Sequence, residues 1–150
     1  MVSPCLYTYN EFKAYFAKAR SKELGRPLKG WCRLFKVGND YVVRLKYGGS
    51  ELFRVSPNNV LTFTLPKDEF NSHSQTLTNS LGRLVPLQTC RYRKGVYRVD
   101  SKQNLEKVMS EYSKAHLDSP HYNRWRVRWN HLEKKAPQYF NGMEWDLITG

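Results

Sequence analysis

Apolar and polar residues alternate along residues 31–66, whose sequence is WCRLFKVGNDYVVRLKYGGSELFRVSPNNVLTFTLP. Successive side chains of a β-strand point to opposite faces, so a period of two indicates strands with one buried face. Three turn signals, at residues 38–40, 48–50 and 56–59, divide the stretch into runs of strand-forming residues. Their glycine and asparagine residues tolerate the backbone angles of tight reversals. The pattern therefore predicts an antiparallel β-meander of about four strands.

The same alternation sorts the strand residues onto two faces of the predicted sheet. One face is continuously apolar, whereas the other carries Arg44, Lys46 and Arg54 together with threonines and Leu52. A sheet that packs one face on helices and leaves the other partly in water has this composition. A basic outward face can contact phosphates. We nevertheless expect these charges mainly to be solvated.

Helical spacing begins near the N-terminus and predicts a helix over about residues 9–23. Residues 8–11, TYNE, have the form of a capping box, in which a Thr hydroxyl and a Glu carboxylate satisfy free amides of the first turn. Gly25 and Pro27 indicate where this helix ends. Its apolar stripe consists of Phe12, Tyr15, Phe16 and Ala19.

Two more helices are predicted further along the chain. Residues 67–74 are polar and lack periodicity, which indicates a loop, and leucines at helical spacing then indicate a short helix ended by Pro86. A longer helix over residues 102–116 begins after Asp100 or Ser101, either of which can cap it. Its apolar positions are Leu105, Val108, Met109 and Tyr112.

Residues 87–99, between these helices, predict a second hairpin that turns at Lys94 and Gly95. No acidic residue interrupts the segment, so the hairpin is a plausible electropositive finger. The candidate nucleic-acid-binding residues in it are Arg91, Arg93, Lys94 and Arg98.

Residues 121–135 admit two secondary structures that exclude each other. A helix that starts at Ser119 and Pro120 and stops before Pro137 explains one set of apolar positions, namely Tyr122, Trp125, Trp129 and Leu132. Residues 124–129, RWRVRW, also alternate at a period of two, as in a strand with every arginine on one face. Length and flanking signals favour the helix, because strands commonly run about 4 to 8 residues. The strand remains the alternative.

In either structure the segment carries five cations and one acid. Arginine offers a planar fork that holds phosphate with two hydrogen bonds, so this segment is the strongest candidate for nucleic-acid contact. The candidate residues are Arg124, Arg126, Arg128, Lys134 and Lys135. For Trp125 and Trp129 we expect the more ordinary role of core side chains. The last segment, residues 138–150, is expected to close the core around a turn at Asn141 and Gly142.

The length and charge of the chain limit its fold and its partners. A chain of 150 residues suits one α+β domain, with the meander and second hairpin packed against two to four helices. Its formal net charge of +12 makes nucleic acid, either DNA or RNA, the first partner to consider. No apolar run approaches the roughly 20 residues of a membrane span, and no signal peptide is apparent. We therefore expect no membrane partner and a cytoplasmic location.

The sequence contains no pattern that indicates catalysis. Its three cysteines and four histidines lack the spacing of a zinc site. Phosphate-binding glycine loops, nucleophile elbows and metalloprotease helices are also absent from it. We therefore expect neither a metal nor another cofactor, and no enzymatic activity.

Four short segments and one turn form a further pattern: VVRL at 42–45, NNVLTF at 58–63, RKGVYRV at 93–99, FNGM at 140–143, and the Ser/Thr-rich turn that leads into Leu81. Together they resemble a group of small proteins encoded by bacteriophages. That group has no settled activity, so no functional residue carries over. The resemblance implies a phage accessory protein in a bacterial cytoplasm. With the charge, this predicts an accessory protein that binds nucleic acid largely through phosphates. The alternative is a protein-binding inhibitor of a host factor, or a virion component, that binds an acidic partner.

Overall fold

The computed structural model describes residues 6–28, 32–45, 49–82, 84–92, 96–116, 118–119 and 122–150. The helices in these residues are α1 (Tyr9–Ala17), α2 (Ser72–Leu81), α3 (Lys102–His116) and α4 (Arg124–Lys134). The strands are β1 (Arg26–Pro27), β2 (Cys32–Val37), β3 (Asp40–Leu45), β4 (Glu51–Val55), β5 (Val60–Phe63), β6 (Leu87–Tyr92), β7 (Val96–Ser101) and β8 (Glu144–Asp146). The predicted α+β class is confirmed.

The predicted meander is confirmed as the centre of a larger antiparallel sheet. Strands β2 to β5 lie side by side in chain order, and β1 and β8 extend the sheet to the order β1-β2-β3-β4-β5-β8. Two of the predicted turns contain left-handed backbone angles, since φ is 60° at Gly38 and 61° at Asn59. Trp31, Lys46 and Gly48, which the prediction included, lie outside the described residues.

One face of this sheet forms the main core, but β4 departs from strict alternation. Val43 of β3 pairs with Phe53. The next residue, Arg44, pairs with Glu51, which leaves Leu52 as an extra residue of β4. A bulge of this kind sets two residues against one and interrupts the alternation of side chains. Leu52 is therefore fully buried beside Phe53, and its predicted place on the outward face is wrong.

The predicted Thr8 cap of α1 is confirmed, but the Glu11 carboxylate accepts from the Thr8 hydroxyl and not from an amide as predicted, and the helix ends earlier than predicted. The Glu11 amide donates to Thr8 Oγ1 (3.3 Å), and that hydroxyl donates to Glu11 Oε1 (3.1 Å). At the other end, Lys22 Nζ donates to the carbonyls of Phe16 (3.0 Å) and Ala17 (2.7 Å). This ammonium group satisfies carbonyls that a longer helix would have used and complements the negative end of the helix dipole.

Local caps also set the starts of α2 and α3. The side chain of Asn71 accepts hydrogen bonds from the amides of His73 (3.0 Å) and Ser74 (3.2 Å), so α2 begins inside the predicted loop. Ser101 caps α3, because its hydroxyl oxygen accepts from the amide of Asn104 at 3.1 Å. The predicted bounds of α3 are confirmed.

The second hairpin separates two clusters of buried side chains. β6 and β7 pair antiparallel as predicted, and the turn at residues 93–95 lies outside the described residues. Leu87 and Val99, on one face, belong to the main core. On the other face the smaller cluster consists of Cys90, Leu105, Leu132 and Ala136. The hairpin therefore connects the sheet to α3 and α4.

The C-terminal segment closes the main core as a strand. Its turn has the expected left-handed glycine, with φ of 97° at Gly142, and β8 then pairs with β5. Met143, Trp145 and Leu147 are buried, whereas Phe140 stays exposed. Of the four residues expected to close the core, Phe140, Met143, Trp145 and Leu147, all but Phe140 therefore do so.

Candidate nucleic-acid interface

The arginine-tryptophan segment is a helix, so the helical hypothesis is confirmed and the strand alternative is wrong. Asn123 caps α4, because its side-chain oxygen accepts a hydrogen bond from the amide of Arg126 at 3.1 Å. The helix consequently starts later than the signal at Ser119 and Pro120 predicts. Its start sets which side chains face the protein and which face water.

A hydrogen bond to a buried carboxylate and a small apolar cluster hold the C-terminal half of α4. Leu132, a fully buried residue of α4, packs with Cys90 and Leu105. His131, the residue before Leu132, has its Nε2 atom 2.6 Å from Oδ2 of the buried Asp100. Asp100 additionally accepts hydrogen bonds from the Ser101 amide and the Asn104 side chain, each at 2.8 Å. These contacts fix α4 against the hairpin and α3, since a buried carboxylate needs such partners.

The two tryptophans of α4 are exposed, so the expectation that they are core residues is wrong. Trp125 is 69% exposed and Trp129 is 38% exposed. They lie one turn apart, with their ring planes 5° from parallel and their centroids 5.8 Å apart. Leu132 and His131 hold the opposite end of the helix. We call Trp125 and Trp129 the tryptophan pair.

The cations of α4 differ in whether they have a partner. Arg124 pairs with Glu106 of α3 at 2.8 Å, and both side chains are well exposed. Within the described parts of the chain, no carboxylate lies within salt-bridge distance of the other four predicted cations. Of these four, Arg126, Lys134 and Lys135 are exposed and Arg128 is half-buried. The charge of the three exposed side chains is therefore available to an external anion, whereas the Nε of Arg128 is buried.

A cleft of about 310 Å³ between α3 and α4 brings three of these cations together. Arg126, Lys134 and Lys135 line it with the amide of Asn130, and Tyr112 of α3 provides an aromatic wall. Stacking on the rings of Tyr122 and His116 orients Tyr112, with centroid distances of 5.8 Å and 4.1 Å. We call this concavity, with these lining residues, the basic cleft.

The structure does not gather the predicted hairpin cations onto one face. Arg91 pairs with Tyr97 and is exposed, whereas Arg98 pairs with Cys90 on the opposite face. Arg98 Nη1 donates to the carbonyl of Ala136 at 2.6 Å, so its guanidinium ties β7 to the end of α4. Arg93 and Lys94 lie outside the described residues. Among the described hairpin cations, only Arg91 is directed to solvent.

A second basic concavity lies between α1 and the sheet. It has a volume of about 610 Å³ and is lined by Lys13 and Lys22 from α1 and the loop after it, and by Lys36 of β2. Lys22 already donates to the carbonyls at the end of α1. One of its three lysines is therefore occupied at the end of a helix. We use this concavity as a comparison surface for anion binding by the basic cleft.

The described thiols do not offer a reactive nucleophile. Burial raises the pKa of Cys32 to about 12. Burial, together with the charge of Glu133, raises the pKa of Cys90 to about 11, against the opposing effect of Arg98. Both groups are therefore protonated near neutral pH, whereas thiolates are the nucleophilic form. The described residues also contain no cluster of three metal-ligating side chains, and no helix among them could span a membrane.

Several residues of this interface escape sequence reasoning. Asp100 and His131 meet across 31 positions, and Tyr112 reaches the cleft from a different helix. Helical spacing placed Tyr112 among apolar positions, but no local signal indicates that it borders a cleft.

Comparison of the chain with protein-family models, with curated proteins and with solved structures finds no match.

Proposed function

We propose that this protein binds nucleic acid through α4 and the basic cleft, largely by contacts to phosphates. One observation carries the proposal: Arg126, Lys134 and Lys135 converge on one cleft, and no described carboxylate neutralises them. Unpaired cations in a concavity attract anions and release counterions when a phosphate backbone binds. Binding of this kind needs no catalytic group.

A salt titration tests the proposal directly. Labelled single strands of DNA and RNA, about 15 nucleotides long to cover the usual range of site sizes, are titrated with protein at increasing salt. The logarithm of the association constant should fall linearly with the logarithm of salt concentration. Failure to detect binding of any oligonucleotide at low salt would overturn the proposed function.

A pair of triple variants tests where the phosphates bind. Replacing Arg126, Lys134 and Lys135 together by Gln should lower the slope of the salt dependence by about 2 to 3, because each phosphate contact contributes about 0.7 to 0.9. The matched control replaces Lys13 and Lys36 of the second concavity, together with the exposed Lys18 near it in the chain, by Gln, which removes the same charge from another surface. The control should change the slope by less than about 1. Equal effects of the two variants would contradict the assignment to α4.

An acidic protein is the second candidate partner, and the tryptophan pair is the observation that favours it. Exposed Trp and Arg side chains are the types that dominate the binding energy of protein interfaces. A host factor or virion component with an acidic surface could complement the cations of α4. In that case the oligonucleotides would not bind at low salt, so the same titration separates the two candidates.

The resemblance to small phage-encoded proteins supports one further part of the proposal. We propose that the protein acts as a phage accessory protein in a bacterial cytoplasm. A basic surface suits this role, because an infecting genome and its transcripts supply phosphate backbones there.

A further inference from the structure

We propose that the tryptophan pair stacks on unpaired bases, so that the nucleic acid held at α4 is single-stranded. This inference rests on the proposed function, because it names the form of nucleic acid that the same surface takes. Phosphate contacts alone do not distinguish single strands from duplexes. The aromatic side chains provide the distinction.

The geometry of the pair suits stacking on a planar partner. The two indole planes differ by only 5°, so they present one common orientation to a ligand. Trp125 is 69% exposed, which leaves most of its ring open to contact. Large aromatic groups are usually buried, and an exposed pair in a fixed mutual orientation indicates a binding surface.

The pair lies beside a row of polar side chains on the same helix. Arg126, Asn130 and Lys134 follow one another at intervals of four residues, and so do Trp125 and Trp129. Residues four apart lie on one face of a helix, with a rise of about 6 Å between them. The two rows therefore run along adjacent faces of α4. A strand that lies along the helix can place its phosphates on the polar row and its bases on the indoles.

Tyr112 of α3 borders the polar row as an aromatic wall, but its ring already stacks on two neighbouring rings, so we assign base stacking to the tryptophan pair alone. Tyr112 is 37% exposed and lines the basic cleft opposite Arg126 and Lys134. Its stacking against His116 and Tyr122 holds the ring in place. Cations flanked by aromatic rings are the arrangement by which proteins hold single strands, because every base has a flat face to stack.

Duplex nucleic acid cannot use these rings in the same way. Bases in a duplex are already stacked on both faces and are reached only at their edges in the grooves. Unpaired bases can splay outward and stack on aromatic side chains. The exposed indoles therefore favour a single strand over a duplex of the same sequence.

The test compares three labelled ligands of equal length: a single strand, the corresponding duplex, and a strand that carries abasic sites. Each is titrated by fluorescence anisotropy with the protein and with the double variant Trp125→Ala, Trp129→Ala. The double variant should bind the ordinary single strand about 5- to 150-fold more weakly for each base that stacks. It should bind the abasic strand and the duplex as the parent protein does, and with an unchanged salt slope.

The conservative double variant Trp125→Phe, Trp129→Phe keeps an aromatic face at both positions and should retain most of the affinity for the single strand. Compared with the alanine variant, it separates the loss of an aromatic face from the loss of the indole ring itself. Circular dichroism checks the fold of each variant. Loss of single-strand binding by the phenylalanine variant, with its fold intact, would overturn the inference.

The other outcomes separate the two proposals. Equal weakening of the ordinary and abasic strands, or equal affinity for duplex and single strand, overturns base stacking and leaves the proposed function standing. The absence of binding to all three ligands at low salt overturns the proposed function itself. Trp-dependent binding to an acidic protein or to anionic vesicles, without oligonucleotide binding, overturns both.

Discussion

The sheet and α4 both carry arginines and aromatic side chains, but those of the sheet contact partners within the protein and those of α4 largely face water. On the outward face of the sheet, Arg54 is held by Glu51 at 2.7 Å and by Asp40 at 3.2 Å. Arg44 lies over the ring of Phe35, 4.9 Å from its centroid. On α4 the exposed arginines and lysines of the basic cleft have no such partners among the described residues, and the tryptophans face water.

This difference teaches that local composition does not identify an electrostatic surface. The sheet is basic in sequence, but its arginines are satisfied by neighbours across the strands. Arg33 shows the same behaviour, since its guanidinium donates to the carbonyls of Leu24 and Gly25. The hairpin residue Arg98 is also engaged internally, since its Nη1 donates to the carbonyl of Ala136. The described cations of the basic cleft combine exposure, proximity to one another and missing acidic partners. Among the residues that the structure describes, Lys13 and Lys36 at the second concavity are exposed and unpaired as well, which is why they serve as the control.

The largest expected difference between the two regions is in stability. Phe53 is fully buried and packs edge-on against Phe63 at 5.9 Å. Phe53→Ala should lower the free energy of unfolding by about 3 to 5 kcal/mol, because it leaves a cavity in the core. Trp125→Ala should change it by less than about 0.5 kcal/mol, because its ring is exposed. Urea unfolding measures both, and a large cost for Trp125→Ala would mean that α4 packs differently.

The next effect concerns the contact that holds α4 in place. His131→Ala leaves the buried Asp100 with only the Ser101 amide and the Asn104 side chain as donors. We expect a loss of about 2 to 4 kcal/mol in the free energy of unfolding, since an incompletely paired buried carboxylate is costly.

His116→Ala serves as the control for this variant, because His116 is exposed at the end of α3 and should change stability little. Urea unfolding of both variants, side by side, checks the prediction. Similar small losses for the two histidines would show that the pair with Asp100 contributes nothing to the attachment of α4.

The smallest effect is a dependence of stability on pH that belongs to the sheet. Burial tends to raise the pKa of Glu51, but hydrogen bonds from Arg54 and Thr64 and the charges of Arg54 and Arg44 outweigh it. The pKa of Glu51 therefore lies below its ordinary value of 4.5. A carboxylate whose pKa is lowered by folding stabilises the fold at pH values above its pKa in the unfolded chain. This stability is lost as the pH falls through the lowered pKa of the folded state.

The test is unfolding by urea at a series of pH values below about 5. Glu51→Gln should lose less stability than the parent protein as the pH falls, because Gln has no carboxylate to protonate. The proposed binding of nucleic acid should be unaffected at neutral pH, since Glu51 belongs to the sheet. Parallel pH profiles of the two proteins would show that the pair with Arg54 contributes no stability.

Much of the fold could be predicted from local patterns, because they follow from the chemistry of neighbouring residues. Alternation and turn glycines predicted the meander, and helical spacing predicted α1, α2 and α3. The errors occurred where a contact with another segment overrides the local pattern. Leu52 is buried by a shift in the register between two strands, and α1 ends where Lys22 reaches back to its last carbonyls.

For the candidate interface, the sequence by itself determined which segment is rich in cations and that a helix is compatible with it. Only the tertiary structure decided which cations are unpaired and which aromatic rings are exposed. The physical reason is that exposure and pairing depend on contacts between elements far apart in the chain. His131 of α4 forms a hydrogen bond with Asp100 of the hairpin, and this contact holds the C-terminal end of α4. Trp125 and Trp129 lie nearer the other end and are exposed to water.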